Sequence, residues 1–226
     1  MDYWEQKTAL MFRIGCWIIV SAFWIGCSGS GPEALPYYNS PEFTPLFITD
    51  AHEVARQVTH TIGPFRFFNQ GGGTISHHNI EDKIHVANFV FTSCGSICPK
   101  LTNHMKLVSG AFGNDSSVVM LSYSVTPWID NVPTLKSYTE RNNINSNNWH
   151  FLTGRKSEIY SLARQSYFAE EDLGFTKDST EFLHTEHIIL VDKTKRIRGI
   201  YNGTLELDVR QMIEDIQRLK METLNE

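Results

Sequence analysis

Residues 84–99 read IHVANFVFTSCGSICP and place a cysteine pair directly after the strongest β-forming run of the chain. The apolar, β-branched and aromatic residues of 84–91 predict a central strand. Pro99 suits the first turn of a helix, where its missing N–H costs nothing, and a helix is predicted over residues 101–112. Ligands and reactive groups collect beyond the carboxyl ends of strands in α/β sheets, so this stretch predicts both a fold class and a site.

Strands and helices alternate on either side of the cysteine pair. Asp130 is predicted to cap the helix that follows it, since aspartate accepts hydrogen bonds from the N–H groups of a helix start. The order of elements predicts an α/β sandwich of thioredoxin type. The further predicted elements are strands over 65–69, 118–125 and 149–152, helices over 132–142, 156–165 and 207–221, and a hairpin over 188–192 and 197–201.

Length and charge limit the class of protein. The chain has 226 residues and a net charge of -5, with its basic residues spread along it. The length suits one domain with a tail, and a sequence without a basic stripe excludes nucleic acid as a partner. Two of the 4 cysteines lie in an N-terminal apolar stretch, so the other two allow one bridge but no disulfide framework.

The N-terminus is predicted to be a targeting segment rather than part of the fold. Residues 14–26 read IGCWIIVSAFWIG, which has the length of a signal-peptide apolar region and is short for a membrane span. Cys27 follows a glycine and precedes the flexible run SGSG, as at a bacterial lipoprotein cleavage site. Lipid attachment at Cys27 is therefore the first interpretation. An uncleaved membrane anchor and a globular core helix are the alternatives.

Three regions follow from this division. Residues 1–27 are the signal, lipoprotein or anchor segment, and residues 28–45, rich in Gly and Pro, are a linker or extended arm. Residues 46–226 form the folded domain. A lipid and an anchor both place that domain on the exported side, at the periplasmic face of a cell membrane or at another membrane-tethered extracytoplasmic location.

Cys94 and Cys98 are separated by three residues, one more than in a thioredoxin redox motif. Thiolates are soft ligands that suit Cu(I), whereas tetrahedral zinc normally takes more Cys or His ligands than one pair supplies. The N–H groups at the following helix start stabilise negative charge, so Cys98 in particular is expected to form a thiolate more easily than a free thiol. Spacing alone leaves open a structural disulfide, a copper site and a redox pair.

The histidines supply candidates for a further ligand. His184 and His187 come just before an apolar strand, and a histidine there reaches over the cysteine loop, so the residues alone do not choose between them. His104 lies on the helix after the cysteine pair, but inside it rather than at its mouth. His77 and His78 lie in a polar loop and are interpreted as a solvated turn.

Four segments, taken in their order, resemble the Sco/SenC family. The resemblance covers residues 60–220 and depends on the order of the motifs as much as on the cysteine pair. One departure is that the hairpin turn Lys193-Thr194-Lys195 lacks the usual glycine, which affects the hairpin more than the site. The four segments are FTSCGSICP at 91–99, SYSVTPWID at 122–130, WHFLTG at 149–154, and HTE at 184–186 followed by LVD at 190–192.

The resemblance implies a thioredoxin-like fold with an added β-hairpin. It also implies one copper ion, as Cu(I) or Cu(II), held by Cys94, Cys98 and His184. The match places the ligand at His184, because His187 falls where the family usually carries a residue that is not a ligand. Cys94 and Cys98 would also form a redox pair able to close a disulfide.

The function implied is that of a copper chaperone supporting assembly of the dinuclear copper centre of cytochrome c oxidase. The expected partners are the copper-bearing oxidase subunit or another copper protein, with the membrane bound through the N-terminus. The alternative is a thiol–disulfide oxidoreductase acting on protein cysteines, which has no need of a distant imidazole. Peroxidase activity fits less well, since Thr92 stands two rather than three residues before Cys94 and that cysteine is paired.

Overall fold

A computed structural model describes residues 34–169 and 186–222. These residues belong to one compact unit, Ala34–Glu226. The predicted targeting segment 1–27, the lipidation candidate Cys27 and the predicted ligand His184 lie outside the described residues. Within the two described ranges, no helix combines the length and the apolar character needed to cross a membrane.

The described residues form strands and helices in alternation, as predicted. The elements predicted from the sequence are present with shifts of a few residues at their ends. The additions are short strands at 37–38, 45–46 and 74–76, a helix at 51–57 and a 3-10 helix at 77–80. The elements, in chain order, are β1 (Tyr37–Tyr38), β2 (Pro45–Leu46), α1 (Ala51–Gln57), β3 (Arg66–Asn69), β4 (Thr74–Ser76), a 3-10 helix (His77–Ile80), β5 (Ile84–Val90), α2 (Ile97–Phe112), β6 (Val118–Ser124), α3 (Val132–Arg141), β7 (Trp149–Thr153), α4 (Lys156–Tyr167), β8 (His187–Val191), β9 (Ile197–Asn202) and α5 (Glu206–Glu222).

The strands of this region form one mixed sheet in the order β2-β1-β9-β8-β5-β6-β7-β3-β4. β5, β6 and β7 run parallel and form its centre, while the pairs on either side are antiparallel. The predicted hairpin is the antiparallel pair β8–β9, which lies directly against β5. The predicted α/β class is confirmed.

β5 is buried along its whole length because side chains from helices cover both faces of the sheet. Ile84, Val86 and Val90 pack with residues of α2, α3 and α5, whereas Ala87 and Phe89 pack with residues of α4. A strand that is buried on both faces has a nearly continuous apolar sequence, which is why this run stands out although it includes His85 and Asn88. The double packing fixes the end of β5, from which the cysteine loop leaves.

The arm before residue 46 is part of the fold where it is described. β1 pairs with β9, and Leu35 is buried. The buried guanidinium of Arg198 donates hydrogen bonds of 2.8 Å to the carbonyl of Leu35 and 3.1 Å to that of Pro36. The described part of the predicted linker, residues 34–45, therefore packs as part of the folded unit, which begins before residue 46.

Helix α3 begins with a cap that differs from the prediction. Asn131, not Asp130, is the cap, and its side chain accepts a hydrogen bond of 3.0 Å from the N–H of Thr134. The prediction for Asp130 is wrong because its carboxylate is fully buried and accepts hydrogen bonds from the hydroxyls of Ser124 and Thr126. A carboxylate engaged in this way is not free to cap the helix.

The turn of the β8–β9 hairpin contains no glycine and is stabilised by side-chain hydrogen bonds. Lys195 has a positive φ of 65°, which favours glycine over a long side chain. The side chain of Asp192 accepts hydrogen bonds from the N–H groups of Thr194 at 2.8 Å and Arg196 at 3.1 Å. These bonds stabilise the turn and offset the strain at Lys195.

Candidate metal centre

Cys94 lies in the loop between β5 and α2, and Cys98 lies in the first turn of α2. The N–H of Cys94 donates a hydrogen bond of 3.3 Å to the carbonyl of Phe91, which turns the chain just beyond the strand. Both cysteines are free thiols. Cys94 is half-buried, whereas Cys98 is only 5% exposed. Cys94 is therefore the sulfur that a partner protein can reach.

The two thiols differ in acidity. Partial burial raises the pKa of Cys94, but hydrogen bonds from the N–H groups of Cys98, Ser96 and Ile97 and from the Cys98 thiol outweigh it and lower that pKa overall. Burial raises the pKa of Cys98 to about 12, and the charges of Cys94 and Asp130 act in the same direction. The expectation that Cys98 ionises more easily than a free thiol is wrong, because burial raises its pKa and the N–H groups of the helix start converge on Cys94 instead.

A fully buried carboxylate, Asp130, ties the cysteine loop to the neighbouring chain. Asp130 accepts hydrogen bonds of 2.6 Å from the hydroxyl of Ser124 and 2.9 Å from that of Thr126. It also accepts from the backbone N–H of Thr92 at 3.2 Å and from the Thr92 hydroxyl. Because Thr92 stands two residues before Cys94, this network holds the loop against the end of β6.

Tyr138 brings a phenol from α3 close to the cysteine pair. Its hydroxyl lies 2.8 Å from the hydroxyl of Thr102, and both residues are buried. Burial raises the pKa of Tyr138, and negative charge on Cys98 and Cys94 raises it further. The phenol therefore stays protonated and neutral beside the two sulfurs.

β8 enters the sheet at the edge where the cysteine loop leaves it. β8 runs antiparallel to β5, with Ile188 opposite Asn88. The start of β8 therefore lies near the carboxyl end of β5. His187, the first residue of β8, pairs with Asn202, and its ring meets that of Phe43 edge-on at 6.1 Å.

A chain of hydrogen bonds joins helix α2 to the entrance of β8. Nδ1 of His104 donates a hydrogen bond of 2.8 Å to the carbonyl of Gly203, and the N–H of Gly203 donates one of 2.8 Å to the carbonyl of Glu186. A β-carbon at Gly203 would lie 2.8 Å from the side chain of Ile188, so the position requires glycine. His104 thus connects the helix that carries Cys98 to Glu186, the first described residue before β8.

The donor atoms of this loop fit a soft metal ion. Cys94 and Cys98 are sulfur donors at one helix start, and they are joined by a thiol hydrogen bond. Thiolates bind Cu(I) well, and binding releases the thiol protons. The N–H groups on Cys94 favour its deprotonation. Of the three predicted ligands, the two that are described are brought together.

A protein-family model described as SCO1/SenC matches residues 53–221. The matched region contains both cysteines and every strand of the parallel centre of the sheet. The chain belongs to the SCO1/SenC family. The resemblance predicted from the four motifs is confirmed.

Solved Sco structures share the fold. BsSco, described as a member of the Sco family of cytochrome c oxidase assembly proteins with a disulfide switch, is 28% identical, with a TM-score of 0.61 over 72% of this chain and 94% of that chain. A SCO1/SenC family lipoprotein from Bacillus anthracis str. Ames is 26% identical, with a TM-score of 0.62 over 72% of this chain and 96% of that chain. The predicted thioredoxin-like fold is confirmed by these matches.

The predicted cofactor is also found in a Sco relative. ScoI of Bradyrhizobium japonicum, whose structure has copper bound, is 25% identical, with a TM-score of 0.56 over 70% of this chain and 99% of that chain.

Two Sco motifs have roles that the sequence did not reveal. Ser124, Thr126 and Asp130 of SYSVTPWID form the hydrogen-bond network under the cysteine loop. The sequence signal for this network is a pair of hydroxyl residues at the end of an apolar strand, followed closely by an acidic residue. Trp149 of WHFLTG donates a hydrogen bond of 2.9 Å from Nε1 to the hydroxyl of Ser122, which joins β7 to β6. The first motif therefore supports the cysteine loop, and the second joins neighbouring strands of the sheet.

Proposed function

We propose that this Sco protein is a copper chaperone that binds one copper ion through Cys94, Cys98 and His184 and supports assembly of the dinuclear copper centre of cytochrome c oxidase. The observation that carries the proposal is the pairing of two unequal free thiols at one helix start. Cys94 is reachable and favoured as a thiolate, and Cys98 is buried beside it. Such a pair suits soft copper that must later leave.

The register of β8 supports His184 as the third ligand. The start of β8 lies at the same edge of the sheet as the cysteine loop. Glu186 is fixed there through Gly203, and two residues of chain span at most about 7 Å. His187 instead occupies a pairing position in the sheet beside Phe43, which supports a role in the fold.

A three-ligand site suits transfer of the ion. Metal sites that have only three protein ligands keep an open position, whereas closed four-ligand sites hold a structural metal. The exposure of Cys94 lets a donor from the acceptor protein approach the ion from outside. Copper in this account is therefore cargo, released by exchange of ligands.

The names of the relatives support cytochrome c oxidase as the acceptor of copper and a membrane as the location of this protein. BsSco belongs to a family of oxidase assembly proteins, and the Bacillus anthracis relative is a lipoprotein. Attachment through Cys27, or through an uncleaved anchor, would hold this domain at the exported face of a membrane. A tethered domain searches a limited volume, so its client belongs to the same membrane.

Thiol–disulfide exchange is a second candidate, favoured by the unequal thiols. The Cys94 thiolate would attack a disulfide of the client and release one client thiolate, leaving a mixed disulfide. Cys98, once deprotonated, would attack the Cys94 sulfur, release the second client thiolate and close a Cys94–Cys98 disulfide. Two electrons pass to the client. A disulfide switch is identified in BsSco, which supports closure of such a bond.

Deletion of the gene in its own host at limiting copper separates the two candidates. The chaperone proposal predicts a loss of oxidase activity and of oxidase copper, with partial recovery when copper is added. The Cys94→Ser/Cys98→Ser and His184→Ala proteins should fail to restore activity. The exchange mechanism predicts rescue by a small thiol reductant and retained function in His184→Ala. Unchanged oxidase activity and copper content would contradict the oxidase role.

A further inference from the structure

Two adjacent histidines and a glutamate form a compact cluster away from the cysteine loop. His77 and His78 were interpreted as part of a solvated turn, but they open the 3-10 helix His77–Ile80. One donor atom from each of His77, His78 and Glu81 lies within 4.8 Å of the other two. Nδ1 of His78 and Oε1 of Glu81 are 3.0 Å apart.

A capping box fixes the backbone that carries both histidines. The Ser76 side chain accepts a hydrogen bond of 3.3 Å from the N–H of His78, and the N–H of Ser76 donates one of 2.8 Å to the side chain of Asn79. This capping box fixes the start of the 3-10 helix. The rings of His77 and His78 have centroids 4.0 Å apart, so the two imidazoles lie on the same side of the turn.

One nitrogen of the cluster lacks a hydrogen bond. Nδ1 of His77 is buried and has no hydrogen-bond partner among the described residues. The side chains of His78 and Glu81 are 70% and 49% exposed. Metal bonds to imidazole nitrogen and carboxylate oxygen are about 2.0–2.2 Å long, so the donor atoms must close in slightly from their present separation. The exposed side chains have the freedom to do so.

We propose that His77, His78 and Glu81 form a second metal site that takes a borderline divalent ion, Cu²⁺ in preference to Zn²⁺. Two imidazoles and one carboxylate are donors that suit both ions, and the order of divalent affinities places Cu²⁺ above Zn²⁺. Mg²⁺ prefers a set of oxygen ligands that this cluster lacks. Water would complete the coordination on the exposed side.

The second site is separate from the cysteine pair. The 3-10 helix precedes β5 at Ile84, whereas the cysteine loop follows β5 at Val90. The strand that separates them is about 20 Å long. One ion therefore cannot bridge both sites, and this site does not depend on the proposed function of the cysteines.

The test uses the full chain with Cys94→Ser and Cys98→Ser, which removes the two thiols of the cysteine loop and leaves Cys16 and Cys27 the same in every variant. Calorimetric titration with Cu²⁺ should show saturable binding, and electron paramagnetic resonance should show nitrogen ligands. Adding His78→Asn or Glu81→Gln should weaken binding at least about tenfold, since each removes a ligand. The exposed control His52→Asn should bind as before. Zn²⁺ should compete only at higher concentration, and Mg²⁺ should not compete.

Circular dichroism of each variant checks that the fold is retained. Retention is expected because the side chains of His78 and Glu81 are exposed. A Cys94→Ser/Cys98→Ser protein that binds no Cu²⁺ stoichiometrically would overturn the proposal. So would a His78→Asn variant that binds Cu²⁺ with the same affinity and the same spectrum. Copper binding by the reduced wild-type cysteine pair is a separate result, so failure of one site leaves the other assignment intact.

Discussion

Nδ1 of His104 donates a hydrogen bond of 2.8 Å to the carbonyl of Gly203. His104 belongs to the helix that begins at the cysteine loop, and the N–H of Gly203 in turn holds the carbonyl of Glu186. The approach to β8 is therefore fixed relative to Cys98 by a side chain that is not itself a ligand. This hydrogen bond explains how Glu186 is held at a fixed position relative to Cys98, although the two residues are far apart in the sequence.

Replacement of His104 by phenylalanine should weaken copper binding without removing a ligand. Phenylalanine keeps a ring of similar size but lacks the N–H donor, and a lost hydrogen bond costs about 1 kcal/mol. We expect roughly a fivefold loss of copper affinity and faster hydrogen exchange at the amide of Gly203. The exposed control His52→Phe should change neither quantity. Unaltered exchange at Gly203 in His104→Phe would show that the bond does not fix this segment.

Alkylation should distinguish the two thiols in the reduced, metal-free protein. The pKa of Cys94 is lowered and that of Cys98 is raised to about 12, so Cys94 should react first and its rate should rise at a pH below the ordinary thiol value. Peptide mass spectrometry after limited iodoacetamide treatment measures this order. Cys98→Ala removes the thiol that donates a hydrogen bond to Cys94, so the alkylation rate of Cys94 should rise only at a higher pH than in the wild type. Preferential alkylation of Cys98 in the wild type would contradict the assignment.

Asp130→Asn tests the buried network under the loop. An amide has one oxygen where the carboxylate has two, so the hydroxyls of Ser124, Thr126 and Thr92 cannot all keep their acceptor. We expect a loss of about 2 kcal/mol in the free energy of unfolding. Removal of the charge should also lower the pKa of Cys98 and increase its alkylation.

The control for this change is Asp82→Asn. Asp82 is exposed with a positive φ of 56°, a conformation that asparagine tolerates well. Its free energy of unfolding should stay within about 0.5 kcal/mol of the wild type. Denaturant unfolding compares the two variants, and equal stabilities would mean that the Asp130 network contributes little to the fold.

The parts of the fold that could be predicted are those with a strong local pattern. β5 is mostly apolar because both of its faces are buried, and the first turn of α2 contains Pro99, a residue suited to that position. Strands of two or three residues such as β1, β2 and β4 carry no periodicity, and they exist because neighbouring strands and Arg198 hold them. Interactions with residues distant in the chain leave no pattern in the local sequence, so these short strands could not be predicted.

The site was predictable in composition but not in electrostatics. The cysteine pair and its position after β5 follow from the sequence, and the motifs gave the family. Which thiol ionises depends on where three backbone N–H groups point, and they point at Cys94. The roles of Asp130 and His104 depend on contacts with residues distant in the chain, such as Thr92 and Gly203.

The central claim is that Cys94, Cys98 and His184 form one copper site, and a Cu(I) competition titration of the reduced full chain tests it most directly. The account predicts one Cu(I) per monomer for the wild type and for His187→Ala, and Cu(I) affinity at least about tenfold weaker for His184→Ala. Cys94→Ser should lose stoichiometric Cu(I), because one thiolate and one imidazole make a poor soft site. Equal losses in the two histidine variants, or stoichiometric Cu(I) retained by Cys94→Ser, would contradict the account.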